Sequence, residues 1–142
     1  MNEKTMGAIA AAIGVFMLSI SSDAFAVDCD NPPSGLDPAS AEINYRCSEN
    51  DRHAADAKLN RVYKKLQSDI RRKQNAESDI NDDLVAAQKS WIAFRDAECD
   101  LRTRIGGGAQ QWSIVNHSEC LTDLTDERTK VLQDYDKTIA EH

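Results

Sequence analysis

The chain has 142 residues and carries 24 Asp or Glu against 17 Lys or Arg, which gives a net charge of −7 with neutral histidines. Nucleic acids and anionic lipid surfaces are themselves negative, so this charge argues against both as partners and favours a basic protein. The length indicates one small domain rather than several.

The first 26 residues have the composition of a cleavable secretory signal. Lys4 precedes an apolar run over residues 6–20, and the segment ends with Ala-Phe-Ala at 24–26. Small residues in this arrangement are typical of a signal-peptidase site, so we expect cleavage after Ala26. The apolar run is shorter than the roughly 18 to 20 residues of a membrane span. We therefore expect no stable membrane insertion after cleavage.

Cleavage would remove Glu3, Lys4 and Asp23 and leave 16 basic and 22 acidic side chains, a net charge of −6. The predicted mature chain, residues 27–142, has 116 residues and forms a single domain. Lipid attachment is not expected, because Val-Asp rather than small apolar residues stands before Cys29. The predicted location is the periplasm or the outside of the cell.

All four cysteines lie in the predicted mature chain, at Cys29, Cys47, Cys99 and Cys120. An even number of cysteines in a small exported chain predicts disulfides, and the spacing alone allows three pairings. A zinc site is the alternative, but there is no C-x-x-C and only His117 lies near a cysteine. We expect two disulfides, and neither a bound metal nor a cofactor.

The first helical pattern follows a loop rich in Pro, Gly, Asp and Ser at residues 28–40. Asp37 followed by a proline predicts the start of a short helix that reaches about Cys47. Ser48 to Asp51 offers a second cap, and the longer helix beyond it is expected to end near Gln74. Its apolar residues recur at spacings of three and four: Leu59, Val62, Tyr63, Leu66 and Ile70.

A second helix is predicted to begin at Ser78 or Asp79 and to end at the glycines 106–108. Asp82 and Asp83 lie in its first turn, where the helix dipole favours negative charge. Its apolar stripe consists of Ile80, Leu84, Ala87, Trp91, Phe94 and Leu101.

A third helix is predicted to run to near the C-terminus. Its apolar stripe consists of Ile114, Leu121, Leu124, Val131, Leu132, Tyr135 and Ile139. No alternating pattern predicts a strand. The expected fold is all-α, a small disulfide-stapled bundle of two or three long helices, in which the second and third form a hairpin around the glycines.

Four charged residues fall on or beside the predicted apolar stripes. Arg95 and Glu98 lie within the stripe of the second helix, Arg128 within that of the third, and Asp56 at the margin of the first. An unpaired buried charge is costly, so these residues should pair across the helices as a structural network. The alternative is a charged cleft that binds a ligand or performs acid–base chemistry.

No catalytic motif accompanies these residues. The serines lack a G-x-S-x-G surround, and the three glycines at 106–108 follow a helix and lack the Lys-Ser/Thr of a phosphate loop. His53 and His117 have no second histidine at a spacing suited to metal binding. We do not expect an enzyme.

The order and spacing of these residues resemble the small exported proteins named after the LprI-type lysozyme inhibitor, N-terminal domain. The resemblance runs from about Cys47 to Leu132. The residues that carry it are Cys47, Ala55, Asp56, Leu59, Asn60, Tyr63, Gln88, Trp91, Arg95, Asp96, Cys99, Gly107, Gly108, Cys120, Arg128 and Thr129. The family's name implies binding and inhibition of a lysozyme.

The expected disulfide pairing is Cys29 with Cys47 and Cys99 with Cys120. Each bond would close a loop of about 20 residues and stabilise the fold through the unfolded state, by about 3 kcal/mol. The second bond would join the second helix to the start of the third. Trp91 and Phe94 are expected in the core.

The leading functional hypothesis is inhibition of a muramidase by steric and electrostatic blockade, with a lysozyme or another basic cell-wall protein as partner. The candidate contact is the turn RTRIGGGAQQW, which includes Arg102, Arg104 and Gln110 and contains no acidic residue. The alternatives are that this turn is only a connector, and that the protein is a periplasmic structural or interaction module without lysozyme contact.

Overall fold

The computed structural model describes residues 27–73 and 79–141, and within these residues the regular structure is three long helices without a strand. The helices are α1 (Ala41–Lys73), α2 (Ile80–Gly106) and α3 (Gln110–Glu141). The prediction of an all-α fold is confirmed. The signal segment 1–26, the helix end at Gln74 and the possible cap at Ser78 lie outside the described residues.

The start of α1 differs from the prediction. Asp37 accepts a hydrogen bond from the Ala39 amide at 2.9 Å within a turn, and the helix begins only at Ala41. The Ser40 hydroxyl accepts a hydrogen bond from the Ile43 amide at 3.3 Å and so caps the first turn. The predicted helix start after Asp37 is therefore wrong.

The predicted helix break at Ser48 is also wrong, since α1 continues through it. The Ser48 hydroxyl donates to the Tyr45 carbonyl at 2.9 Å, and the side chain is buried. A serine that bonds back to its own helix is compatible with the helix interior, and its capping potential is not used.

The first and third helices form the most extensive contact between elements, while α2 packs mainly against α3 and only slightly against α1. Residues Lys58 and Asp126 pair at 3.4 Å, and Lys73 donates to the Ile139 carbonyl at 2.9 Å, so α1 and α3 run in the same direction. The main core lies between the three helices and consists of Leu59, Leu66, Ile70, Leu84 and Leu132.

The apolar stripe predicted for α2 is only partly buried. Phe94 is 54% exposed and Leu101 is 52% exposed, whereas Leu84 is buried. The side of α2 that packs against its neighbours carries Leu84, Gln88, Trp91, Arg95 and Cys99. Two of these, Gln88 and Arg95, are polar. The core position predicted for Phe94 is wrong. Trp91 is half-buried and packs against the main core and against a second cluster of Cys99, Cys120 and Leu124.

Other members of the predicted stripes are exposed as well: Ile80, Ala87, Ile114, Val131 and Tyr135. The buried positions between them on α3 are in part small polar residues, because Ser118, Thr125 and Thr129 are each at most 1% exposed. Small side chains at such positions allow close helix packing, and Thr129 satisfies its hydroxyl by donating to the Thr125 carbonyl at 2.8 Å.

The two disulfides of the structure join Cys29 to Cys47 and Cys99 to Cys120, the pairing expected from the sequence. The first ties the exposed N-terminal segment 27–40 to α1. The second joins α2 to α3, and Cys99 is fully buried. Cys120 lies about three turns inside α3, not at its start as predicted, because α3 already begins at Gln110.

The chain reverses between α2 and α3 within three residues, 107–109. Gly107 and Gly108 have φ angles of 59° and 99°, values that favour glycine over any residue with a Cβ atom. The predicted hairpin and its glycine turn are therefore present, and the turn is short. Arg102 and Arg104 belong to the last turns of α2 and Gln110 opens α3.

Candidate functional site

A continuous polar network links the three helices near their middle. Arg95 of α2 donates through Nη1 to Asp56 of α1 at 3.1 Å and to the Thr125 hydroxyl of α3 at 3.1 Å. Asp56 also accepts from Arg52 at 3.2 Å. The Arg95 side chain is only 15% exposed, and its charge is balanced by Asp56, which it shares with Arg52, and by Asp96 at 2.9 Å.

The network continues along α1 to a second carboxylate. Arg52 binds Glu49 through its Nε and Nη2 atoms, at 2.9 and 2.7 Å, and Ser118 of α3 donates to Glu49 at 2.7 Å. The hydrogen bond from Arg52 lowers the pKa of Glu49 to about 2, the Ser118 hydroxyl acts in the same direction, and burial opposes both. Glu49 is therefore ionised at neutral pH, paired with Arg52 on its own helix and joined to α3 by the hydrogen bond from Ser118.

Trp91 lies close to two guanidinium groups. The Cζ atoms of Arg95 and Arg128 are 5.2 and 5.9 Å from its ring centroid, within the range of cation–π contacts. Arg128 donates to the Gln88 side chain at 3.0 Å, and burial lowers the pKa of Arg128. Among the described residues, no hydrogen-bond acceptor lies within reach of its buried Nη2 atom.

Glu98 does not belong to this network. It pairs with Arg102 four residues later on α2, at 2.8 Å, on the outside of the bundle. The sequence-based grouping of Glu98 with the interhelical charges is therefore wrong, whereas Asp56 and Arg95 are brought together directly. Arg128 contacts the Trp91 ring, as Arg95 does, and donates to Gln88 rather than to Asp56 or Glu98.

The other residues that carried the family resemblance have varied surroundings. Leu59 lies in the main core with Tyr63 packed against it, and the Tyr63 hydroxyl accepts from Gln67 at 3.0 Å. Asn60 is exposed, and Asp96 accepts from Arg95 at 2.9 Å on the surface.

Sequence reasoning missed four members of the network: Glu49, Arg52, Ser118 and Thr125. A signal for two of them was present, since Glu49, Arg52 and Asp56 follow the spacings of three and four that bring side chains together on one helix face. Ser118 and Thr125 carry no comparable signal, because a small hydroxyl residue in a helix is equally common on the surface.

The turn between α2 and α3 is the second candidate site. All three predicted contact residues, Arg102, Arg104 and Gln110, are exposed there. Two large apolar side chains accompany them, since Ile105 is 76% and Trp112 40% exposed. Below the turn, Nε2 of His117 lies 3.1 Å from Oδ1 of Asp100. The Cys99–Cys120 disulfide joins the two helices about one turn further down. The tip of the hairpin is thus apolar and basic.

An acidic groove lies between α1 and α3 on another side of the bundle. Its volume is about 310 Å³. The lining residues are Asn44, Cys47, Ser48, Asp51, Glu119, Thr122 and Asp123. Three carboxylates without a basic residue in this lining make the groove a local concentration of the chain's negative charge.

Within residues 27–73 and 79–141, no three His, Cys, Asp or Glu side chains are grouped closely enough to hold a metal ion. In the same residues, no helix has the length and apolar character needed to cross a membrane.

Residues 34–132 match the sequence profile of the family described as Lysozyme inhibitor LprI, which covers most of the chain. The chain belongs to this family. It is also similar to a protein of Rhizobium meliloti (strain 1021) that is described only as uncharacterised, with 32% identity over 96 residues, 62% of this chain and 68% of the relative. No solved structure matches the chain.

Proposed function

We propose that the protein is an exported inhibitor that binds a lysozyme or a related muramidase through the turn between α2 and α3. Membership of the lysozyme inhibitor family supports the partner class. Two disulfides support a location outside the cytoplasm, since such bonds persist in oxidising compartments. The finding that carries the proposal is the exposed tip, where Ile105 and Trp112 flank the glycines beside Arg104.

The charge of this tip fits the cleft of such an enzyme. Lysozyme acts through two carboxylates in its cleft, so an acidic loop would be repelled there. Residues 102–117 contain no acid, and the tip offers two exposed apolar side chains to bury, Ile105 and Trp112. Because the disulfide holds the base of the hairpin, little conformational freedom of the tip would be lost on binding.

The proposal makes the protein a binding module and not an enzyme. The two carboxylates of the polar network are already occupied, Glu49 by Arg52 and Asp56 by Arg52 and Arg95. Groups engaged in this way are poor general acids or bases, because such work requires a group free to reach the proton of a substrate. A structural role for Asp56, Arg95 and Arg128 accounts for the same contacts.

Inhibition of lysis of a cell-wall substrate by the purified exported protein tests the proposal. The double variant Arg104→Glu, Gln110→Glu should raise the inhibition constant at least tenfold, because it places two acids at the tip. The matched control is Arg71→Glu, Gln133→Glu, which changes the net charge equally at exposed positions away from the turn and should inhibit normally. Equal inhibition by both variants would exclude the turn as the contact.

A protein that inhibits no lysozyme at all would favour the alternative, a periplasmic structural or interaction module. The exposed apolar residues of α2 are the observation that favours this second function, because Phe94 and Leu101 are more than half exposed on the surface of the bundle. Affinity capture from an envelope extract with and without added lysozyme separates the two functions.

A further inference from the structure

The second helix carries an apolar stripe on the side that does not pack within the bundle. Ala87, Phe94 and Leu101 are exposed and follow one another at intervals of seven residues. We call these three residues the α2 seam. Residues seven apart lie on the same side of a helix, so these side chains form one apolar line along α2. A single exposed apolar residue needs no explanation, but a line of this kind marks an interaction surface.

We propose that a second copy of this chain covers the α2 seam, with the two α2 helices antiparallel around a two-fold axis beside Phe94. This symmetry sets Phe94 against its own counterpart and Ala87 opposite Leu101 of the second copy. A small side chain then faces a large one on each side of the axis. Such alternation is what close packing of two helices requires.

The charges beside the seam meet opposite charges of the second copy only when the two helices are antiparallel. Asp83 is exposed in the first turn of α2 and Arg104 in its last turn. They stand eleven residues before and ten residues after Phe94, on the same side of the seam. Antiparallel pairing therefore brings Asp83 of each copy next to Arg104 of the other. Parallel pairing would set each charge against its like.

The same arrangement is favourable for the helix dipoles, since the N-terminus of one α2 meets the C-terminus of the other. The self-complementary order of Asp83, Ala87, Phe94, Leu101 and Arg104 points to a second copy as the occupant. An unrelated partner would impose no such symmetry.

Sedimentation velocity of the exported chain over a series of concentrations tests the seam. We expect a reversible monomer–dimer equilibrium, and a monomer at every concentration for Phe94→Glu. The matched control is Ile92→Glu, which places the same charge at an exposed apolar position of α2 away from the seam and should leave the dimer intact. Helical circular dichroism of both variants must match that of the wild type.

A charge exchange gives the decisive result. Either Asp83→Arg or Arg104→Asp alone should weaken dimerisation about tenfold, and the two together should restore it. The helix-dipole cost of Arg at position 83 remains in the double variant, so recovery can come only from the pair. A wild-type monomer throughout, or a double variant no better than the singles, would overturn the proposal. Loss of lysozyme inhibition in a variant that still dimerises would concern the proposed function alone.

Discussion

Arg95 of α2 donates to Asp56 of α1 at 3.1 Å, and this ion pair joins the two helices that have the least contact with one another. The same Arg95 nitrogen also reaches Thr125 of α3 at 3.1 Å. A single guanidinium therefore fixes the relative positions of all three helices at mid-height. Apolar packing alone holds α1 against α2 only weakly, so the Arg95–Asp56 ion pair has the greater role between these two helices.

Replacing Arg95 by alanine should destabilise the fold by about 2 kcal/mol, since it removes a part-buried ion pair and the cation contact with Trp91. Asp56 retains Arg52 and 31% exposure, which keeps the loss below that of a fully stranded charge. The measurement is the free energy of unfolding in urea. Arg102→Ala, which breaks an exposed pair on the same helix, is the control and should cost at most about 0.5 kcal/mol. Equal effects of the two would contradict the assigned role.

The two disulfides should differ in what they stabilise. Replacing Cys99 and Cys120 by serine removes the disulfide that closes the α2–α3 hairpin. We expect the free energy of unfolding to fall by about 3 kcal/mol. Replacing Cys29 and Cys47 should instead release the exposed segment 27–40 with a smaller loss. Hydrogen exchange locates each effect. If loss of the Cys29–Cys47 bond destabilised the whole fold as much as loss of the Cys99–Cys120 bond, this difference would be contradicted.

The helices themselves could be predicted from the sequence, because long runs of helix formers without Gly or Pro leave few other choices. The face of α2 that packs against the other helices could not be predicted in the same way. Two faces compete, one through Leu84, Trp91 and Cys99 and one through Ala87, Phe94 and Leu101, and the second has the regular apolar spacing. The disulfide and Arg95 decide for the first face, and neither contact can be read from periodicity.

The sequence predicted that Asp56 and Arg95 take part in an interhelical charge network, but it misplaced Glu98. Charges near an apolar stripe must find partners, but the choice between a partner on another helix and one four residues away depends on small rotations of the helix. Glu98 finds Arg102 locally. The exposed tip was readable as a turn from its glycines, whereas its apolar side chains became apparent only with the burial of their neighbours.

Acid should weaken the contacts that Glu49 makes with Arg52 of α1 and Ser118 of α3. The pKa of Glu49 is lowered to about 2 in the folded state from an ordinary value of 4.5, chiefly by Arg52. A depressed folded pKa means that this stabilisation is complete above about pH 4.5 and disappears as the pH falls toward 2. Thermal unfolding between pH 6 and pH 2 should show a melting temperature that declines through this window. In Glu49→Gln the decline should be smaller, and an unchanged decline would assign it to other carboxyls.

If the partner is a basic lysozyme, the acidic groove between α1 and α3 should accelerate the encounter while the tip determines how long the complex lasts. Neutralising the three groove carboxylates, with Asp51→Asn, Glu119→Gln and Asp123→Asn, should lower the association rate constant about tenfold at low salt. At high salt the difference should disappear, because screening shortens the range of exposed charges to about 3 Å at 1 M. The dissociation rate constant should remain near that of the wild type.

A control variant with the same net charge separates the local field from the total charge. Asp30→Asn, Asp82→Asn and Glu127→Gln remove three exposed acids outside the groove. Surface plasmon resonance at two salt concentrations gives both rate constants. If total charge alone governs the encounter, the two triple variants will associate equally slowly; if the groove steers it, the control will remain much closer to the wild type. A groove variant that changes only dissociation would instead place these carboxylates within the contact itself, a geometry that the basic tip does not require.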